Sequence, residues 1–371
     1  MKKTYPICIA FCSLLLLGSV TAQKNKAQQI PSLKEVFKSD FLIGAALNWP
    51  QITGKDRAAA VLIPQQFNTV TPEDVMKAER LHPVWGTYDF SKGDQLIAYA
   101  KRHKLQVNGH TLVWHSQLPP FVHRIQNIDS FRTFFTDHIK TVAEHFSGKV
   151  QSWDVVNEAL NEDGTLRKSI FLTKLGDQYI VDAFKLAAAA APNTALYYND
   201  YNNEQPAKRA GCIRVIQELK KAGARIDGVG IQGHWHLGKV PFKAIEESIE
   251  QYAAQGVKVA ITELDINVLP TKVTGAEVGQ HFKGDAASNP YVNGLPDSIR
   301  QQLAADYATL FRIFLKHKDK IARVTFWGVH DAQSWLNDWP IPGRRNYPLL
   351  FDRQGKPKSA FYAVIDAKLK K

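Results

Sequence analysis

Two glutamates each close a short apolar run: Glu158 ends Trp153-Asp154-Val155-Val156-Asn157-Glu158, and Glu263 lies in Val259-Ala260-Ile261-Thr262-Glu263-Leu264-Asp265. Two carboxyl groups set across a cleft can cleave a glycosidic bond. One protonates the leaving oxygen while the other faces the anomeric carbon, and a separation of roughly 5 Å gives retention of configuration through a glycosyl-enzyme intermediate. One of the two must keep its proton near neutral pH, which requires apolar surroundings or a neighbouring negative charge. Three tryptophans, Trp114, Trp327 and Trp335, also follow strand-like runs, in company with Lys77, His110, Gln117 and Asn157. Sugar rings carry an apolar face and a polar edge, so their sites combine aromatic rings with amides, histidines and charges. Asn48, Glu73, Asn199-Asp200, Gln232 and His330-Asp331 likewise sit directly after apolar runs. Loops are polar anyway, but a bare loop does not explain so many carboxylates, carboxamides, histidines and tryptophans at strand ends.

The elements that must position these residues alternate along the chain. Strand candidates are 41–47, 67–71, 106–111, 150–156, 195–199, 228–232, 257–262 and 322–327, and helical stretches lie at 91–103, 128–146, 178–191, 205–222, 242–255 and 296–317. One helix runs out at Pro192, which cannot continue it, and another at Gly223, which permits a left-handed terminal turn. Strands separated by helices pair in parallel through crossovers. Eight such units predict an α/β fold, a single (β/α)8 TIM barrel, whose site lies at the C-terminal ends of the strands. The stretch 269–297 has no helical period and contains Gly275, Gly284, Pro290, Gly294 and Pro296, so an extended loop after strand 7 is expected on that same face.

Composition sets the remaining bounds. The 371 residues are 44% hydrophobic and 22% charged, with no linker rich in Gly, Ser or Pro and no fixed-period repeat, which predicts one catalytic domain over 33–371. Lys2 and Lys3, the apolar run Ile7–Leu17 and the small residues Val20-Thr21-Ala22 predict a signal peptide over 1–22, followed by a flexible leader over 23–32. Export to a periplasm or the extracellular medium is therefore expected, with no membrane span after signal removal and a monomeric product. Cys8 and Cys12 fall in the signal, so Cys212 alone remains and no disulfide framework can form; it reads as a buried filler. The formal charge of +12 is scattered without a basic block, which argues against nucleic acid as a partner.

Metal hydrolysis is the rival barrel chemistry, since His234 and His236 form a His-x-His pair with His110 and His115 elsewhere on the rim. Zinc needs three or four ligands converging tetrahedrally. The companions here are tryptophan and glutamine, so neither a metal nor another cofactor is expected.

From about Leu33 to Leu369 the chain resembles glycoside hydrolase family 10, the barrel endo-xylanases. The resemblance rests on Phe67-Asn68-Thr69-Val70-Thr71-Pro72-Glu73-Asp74-Val75-Met76-Lys77, Gly109-His110-Thr111-Leu112-Val113-Trp114-His115-Ser116-Gln117, the Trp153–Glu158 run, Gly230-Ile231-Gln232-Gly233-His234, Thr262–Asp265 and Trp327–Trp335, in order. It implies an endo-1,4-β-xylanase acting on xylan or xylo-oligosaccharides, with Glu158 as general acid/base and Glu263 as nucleophile. Asn157 would bond the 2-hydroxyl of the reacting sugar, and His234, held by Asp265, would orient Glu263. Glu73, Asp74, Lys77, His110, Trp114, Gln117 and Gln232 would bind sugars on the non-reducing side, and Trp327 and Trp335 would wall the central subsite. The sequence departs from the family pattern at Asp74, where asparagine is usual, at Ala78, often tryptophan, and at His330, often a small hydroxyl residue. Those departures leave open the same machinery acting on another β-linked glycan. A non-catalytic carbohydrate-binding barrel would keep the tryptophans but could discard either glutamate.

Overall fold

Near-continuous apolar runs such as Ala195–Asp200 and Lys258–Asn267 form strands buried on both faces, as parallel strands covered by helices must be. The computed structural model describes residues 1–4, 30–271, 273 and 276–370. Most of the expected signal and leader, residues 5–29, lies outside the described residues. Residues Ser32–Lys371 form one compact unit.

Among the described residues nine strands occur in chain order: β1 (Leu42–Leu47), β2 (Thr69–Pro72), β3 (Gln106–Trp114), β4 (Ser152–Asn157), β5 (Ala195–Asp200), β6 (Gly228–Ile231), β7 (His234–His236), β8 (Lys258–Asn267) and β9 (Ile321–Phe326). All pair in parallel. Neighbours follow the chain from β1 to β6, then β6 pairs β8 with Gly228 opposite Lys258, and β9 returns to β1 with Leu42 opposite Arg323. Eight strands therefore close the expected barrel. The ninth, β7, is an addition that pairs with the outer half of β8, His234 opposite Asp265 and His236 opposite Asn267. β8 overshoots β6 by six residues, from Ile261 to Asn267, and this projecting end carries Glu263 and Asp265.

The six expected helices occur within two residues of their expected ends, among them Ser91–His103, Ile128–His145 and Asp297–Lys316. Asn127 caps the second of these through a hydrogen bond from Ser130 N at 2.9 Å. Two further barrel helices, Arg57–Gln66 and Ser359–Leu369, escaped the periodicity reading. The first carries Pro64 near its end and a run of alanines, and the second is apolar on most of its surface, so neither shows a clean polar stripe. Tertiary packing forms them instead: the last helix lies against Asp297–Lys316, and Asp56 caps the first by accepting from Ala59 N at 3.0 Å. The core joins Phe37, Trp153, Phe184, Phe311 and Phe314, all buried. Cys212 is also buried, and burial pushes its thiol up to about 12.

Between Asn267 and Asp297 the only helical turn among the described residues is Ala286–Ser288, so the long connection after the seventh barrel strand is present. Its residues 272, 274 and 275 lie outside the described residues.

Candidate active site

Glu158 follows directly on β4 with φ of 58°, and its N–H donates to Asn199 O at 2.9 Å. That left-handed backbone is costly for a residue bearing a side chain and swings the carboxyl into the barrel mouth. There the carboxyl accepts from Trp114 Nε1 at 2.8 Å, Gln232 Nε2 at 3.0 Å and Asn157 Nδ2 at 3.1 Å. Burial raises its pKa. The bonds from Gln232 and Trp114 pull part of the way back, and the charge of Glu263 adds to the rise. Glu158 is thus biased toward keeping its proton.

Glu263 sits across the mouth on the projecting end of β8. Its Oε1 accepts from Asn199 Nδ2 at 2.8 Å, and its Oε2 lies 3.2 Å from His234 Nε2. The other ring nitrogen of His234 is 3.0 Å from Asp265 Oδ1, and Asp265 Oδ2 accepts from Trp335 Nε1 at 2.8 Å. Burial opposes charge on His234, but the carboxylates on both ring nitrogens raise it to about 10. Those two carboxylates favour the imidazolium form at neutral pH. Burial also works against ionised Glu263, yet the His234 hydrogen bond, the nearby His110 and Asn199 together hold its carboxyl below the usual range. The two glutamates are tuned in opposite directions.

Their connection is a chain of amides. Asn199 Nδ2 bonds both Glu263 Oε1 and Asn157 Oδ1, the latter at 2.9 Å, and Asn157 Nδ2 reaches Glu158. Thr262 Oγ1 donates to Asn199 Oδ1 at 2.6 Å, which fixes the amide's orientation. A side chain on Gly230 of β6 would collide with Asn199 Oδ1, so glycine there leaves room for the amide.

The rest of the cleft is lined by Glu73, Lys77, His110, Trp114, Gln117, Asn157, Gln232, His234, Trp327 and Trp335, together with Ala276 and Val278 from the long loop. Lys77 Nζ stands 4.9 Å from the centre of the Trp114 ring. Burial pushes Glu73 up to about 7 despite Lys77, with Asp74 and Glu263 adding to the rise, and burial lowers Lys77. His110 Nδ1 is 3.0 Å from Asp154 Oδ2, which also accepts from Asn108 at 3.0 Å, so a buried carboxylate inside the barrel holds the ring.

Asp74 stands next to the cleft residue Glu73 but outside the lining named above; its carboxylate accepts from Arg80 Nε at 2.9 and 3.2 Å on a partly exposed surface. The charge that distinguishes aspartate from asparagine finds a cation six residues on, in the short helix Ala78–Leu81. The histidines weighed as metal ligands take separate partners: His236 Nδ1 is 3.3 Å from Asn267 Nδ2, and His115 Nε2 is 3.9 Å from Glu277. Asn199 entered the sequence reading only as a rim residue, and Arg167 not at all. Asn199 is the last residue but one of a buried strand, a signal that could have marked it; Arg167 lies in a loop with no such signal. A larger, mostly apolar hollow of about 430 Å³ beside Leu160, Val181 and Val215 contains no comparable carboxyl pair.

A closed parallel barrel whose rim bears two buried, oppositely tuned carboxyls among tryptophans defines a glycoside hydrolase of the (β/α)8 class. The chain belongs to glycosyl hydrolase family 10, whose family model matches residues 32–367. It is 41% identical over 362 residues to an endo-1,4-beta-xylanase A of Xylanibacter ruminicola, covering 96% of this chain and 97% of the relative. A beta-1,4-xylanase of Dictyoglomus thermophilum is 39% identical over 345 residues, covering 92% and 93%. The solved structure of a family 10 endoxylanase from a sugarcane soil metagenome superposes with a TM-score of 0.87 at 40% identity, covering 90% of this chain and 99% of that one.

Proposed function

We propose that the chain is an endo-1,4-β-xylanase that hydrolyses internal bonds of xylan with retention of configuration. The observation that carries the two-carboxyl reading is the pairing across one cleft of Glu158, bonded to Trp114, Gln232 and Asn157, with Glu263, bonded to Asn199 and His234, the first biased toward its protonated form and the second toward its ionised form; retention is what membership of family 10 implies. Ionised Glu263 attacks the anomeric carbon as Glu158 passes its proton to the glycosidic oxygen; the bond to the leaving sugar breaks and a glycosyl ester forms on Glu263. Glu158, now a carboxylate, takes a proton from water, whose oxygen attacks the same carbon and releases Glu263. His234, fixed by Asp265, orients the nucleophile and keeps it ionised. Asn157, whose Nδ2 donates to Glu158 at 3.1 Å, bonds the 2-hydroxyl of the reacting sugar in this reading.

Glu73, Lys77, His110, Trp114, Gln117 and Gln232 supply the polar and aromatic wall for sugars on the non-reducing side. Trp327 and Trp335 close the centre of the cleft, and xylose, lacking the hydroxymethyl group of glucose, fits where a glucose unit meets a wall. The names of the relatives, both xylanases, support that substrate class. Export through a signal over 1–22 accompanies this reading, with residues 33–371 as the catalytic domain; among the described residues no helix is long and apolar enough to cross a membrane. N-terminal sequencing of protein recovered outside the cytoplasm tests the cleavage site.

The deciding experiment is chromatography of products from beechwood-type xylan and, separately, from soluble cellulose. Short xylo-oligosaccharides from xylan alone are expected. Products from cellulose would transfer the site to another β-linked glycan, and none from either would remove the proposed activity.

A further inference from the structure

The loop after β4 and the long loop after β8 meet at one side chain. Arg167 Nε donates to the backbone carbonyl of Glu158 at 2.9 Å, Nη1 to Glu277 Oε2 at 2.6 Å, and Nη2 to Tyr201 Oη at 2.7 Å. Its own N–H donates to Ala159 O at 2.7 Å, so backbone and side chain both grip the two residues that begin this loop. Tyr201 is itself held, with Lys208 Nζ 3.7 Å over its ring and Lys208 paired with buried Asp200 at 3.0 Å. Glu277 lies between Ala276 and Val278, which line the cleft. The planar fork of a guanidinium can satisfy three such acceptors in fixed directions, which an ammonium on a flexible stem cannot.

We infer that Arg167 is a positioning residue for acid/base catalysis, tying the backbone that carries Glu158 to the cleft wall at Ala276–Val278 through Glu277. This rests on Glu158 acting as the acid/base. A general acid must reach the glycosidic oxygen, so the loop next to it adjoins the leaving sugar; joining the two loops there sets the width of the cleft on that side. A strand-end glutamate with a left-handed backbone needs such a restraint, because a displacement of about 1 Å at the proton donor can cost on the order of a hundredfold in rate. The charged or titratable groups around Glu158 and Arg167 are Glu263 on β8, Lys77 beyond β2, His115 just beyond β3 with its Nε2 3.9 Å from Glu277, Asp200 and Tyr201 at the end of β5, and Arg167 itself. Among them Arg167 favours the ionised form of Glu158 and Glu263 disfavours it.

The test uses the full chain with Arg167→Met, Arg167→Lys and Glu277→Gln, assayed on xylan and on an aryl xylobioside with a very good leaving group. Arg167→Met should lower kcat on xylan by about tenfold or more and on the aryl substrate by less than about threefold, since only the first needs the acid. Its alkaline limb should move upward, because a cation favouring ionised Glu158 is gone. Arg167→Lys should lose kcat on xylan while holding the limb nearer its original place. Glu277→Gln should raise KM for xylan and move the limb downward, because the Arg167 charge is no longer neutralised. Equal losses of Arg167→Met on both substrates with an unmoved limb would reduce Arg167 to a structural prop and overturn the inference. If Arg167→Met does not fold, Glu277→Gln decides alone: an unchanged KM and limb overturn it. Glu158→Ala, run alongside, separates the two levels. Equal losses there on both substrates remove the role of Glu158, whereas a leaving-group-dependent loss there with none in Arg167→Met removes only that of Arg167.

Discussion

Asn199 and Glu263 share a hydrogen bond of 2.8 Å, and the same amide nitrogen reaches Asn157 at 2.9 Å, so one side chain links the network around the nucleophile to that around the acid. Removing a hydrogen bond to a charged group costs about 1.5–3 kcal/mol. Asn199→Ala should therefore lower kcat by roughly ten- to a hundredfold. Asn199→Asp should be worse than Asn199→Ala, because a third carboxyl beside Glu158 and Glu263 makes both harder to ionise. Steady-state kinetics on xylan give the order of the two variants; Asn199→Ala at the level of the native enzyme would dismiss the link.

Glu263→Ala should abolish turnover of xylan, while added azide should restore reaction on an aryl xyloside and give a glycosyl azide of inverted configuration. Proton NMR of the product reads the anomeric centre. Loss without rescue in any azide concentration would count against Glu263 as the nucleophile.

Activity should follow a bell in pH. The acid limb belongs to Glu263, held below the usual carboxylate range, and the alkaline limb to Glu158, held above it. His234→Gln removes the cation that favours ionised Glu263, so its pKa rises and the acid limb of kcat/KM moves to higher pH, narrowing the bell. An unchanged acid limb would mean that His234 does not govern the nucleophile.

Asp74 carries a charge beside Glu73, and that charge helps to lift Glu73 to about 7. Asp74→Asn should lower the pKa of Glu73 and shift any pH dependence of KM around neutrality toward acid. The Asp74–Arg80 pair is about half exposed, so stability should change by less than about 1 kcal/mol. KM measured across pH, with a denaturant titration on the same variant, checks both statements.

His82 and His138 stack at 5.5 Å, and burial lowers them to about 4 and about 3. In the unfolded chain both take protons below about 6.5, while in the folded chain they do so only near 4 and 3. Unfolded protein thus binds more protons over that window, and stability falls as pH drops through it. His138→Leu should make the decline between pH 6.5 and 3 shallower, as followed by denaturant titration at successive pH values.

Much of the barrel is legible in local pattern. The runs ending at Asn157-Glu158 and Thr262-Glu263 are apolar because parallel strands are buried on both faces, and their polar ends mark the rim. The helices Ser91–His103 and Ile128–His145 announce themselves by a polar face, whereas Arg57–Gln66 and Ser359–Leu369 form through packing that local period does not encode. The short strand β7 arises only because β8 projects beyond the barrel and offers it an edge.

Residue types and their place at strand ends were determined by the sequence itself: two glutamates, three tryptophans and their amide and histidine companions on one rim. The tertiary structure decided what each of them experiences. Arg167 meets Glu277 across 110 residues of chain, and Asn199 meets Glu263 across 64, contacts that no local spacing can specify. Which carboxyl keeps its proton follows from the same cause. Protonation depends on burial and on the charges within a few ångströms, and those neighbours come together only when the barrel closes.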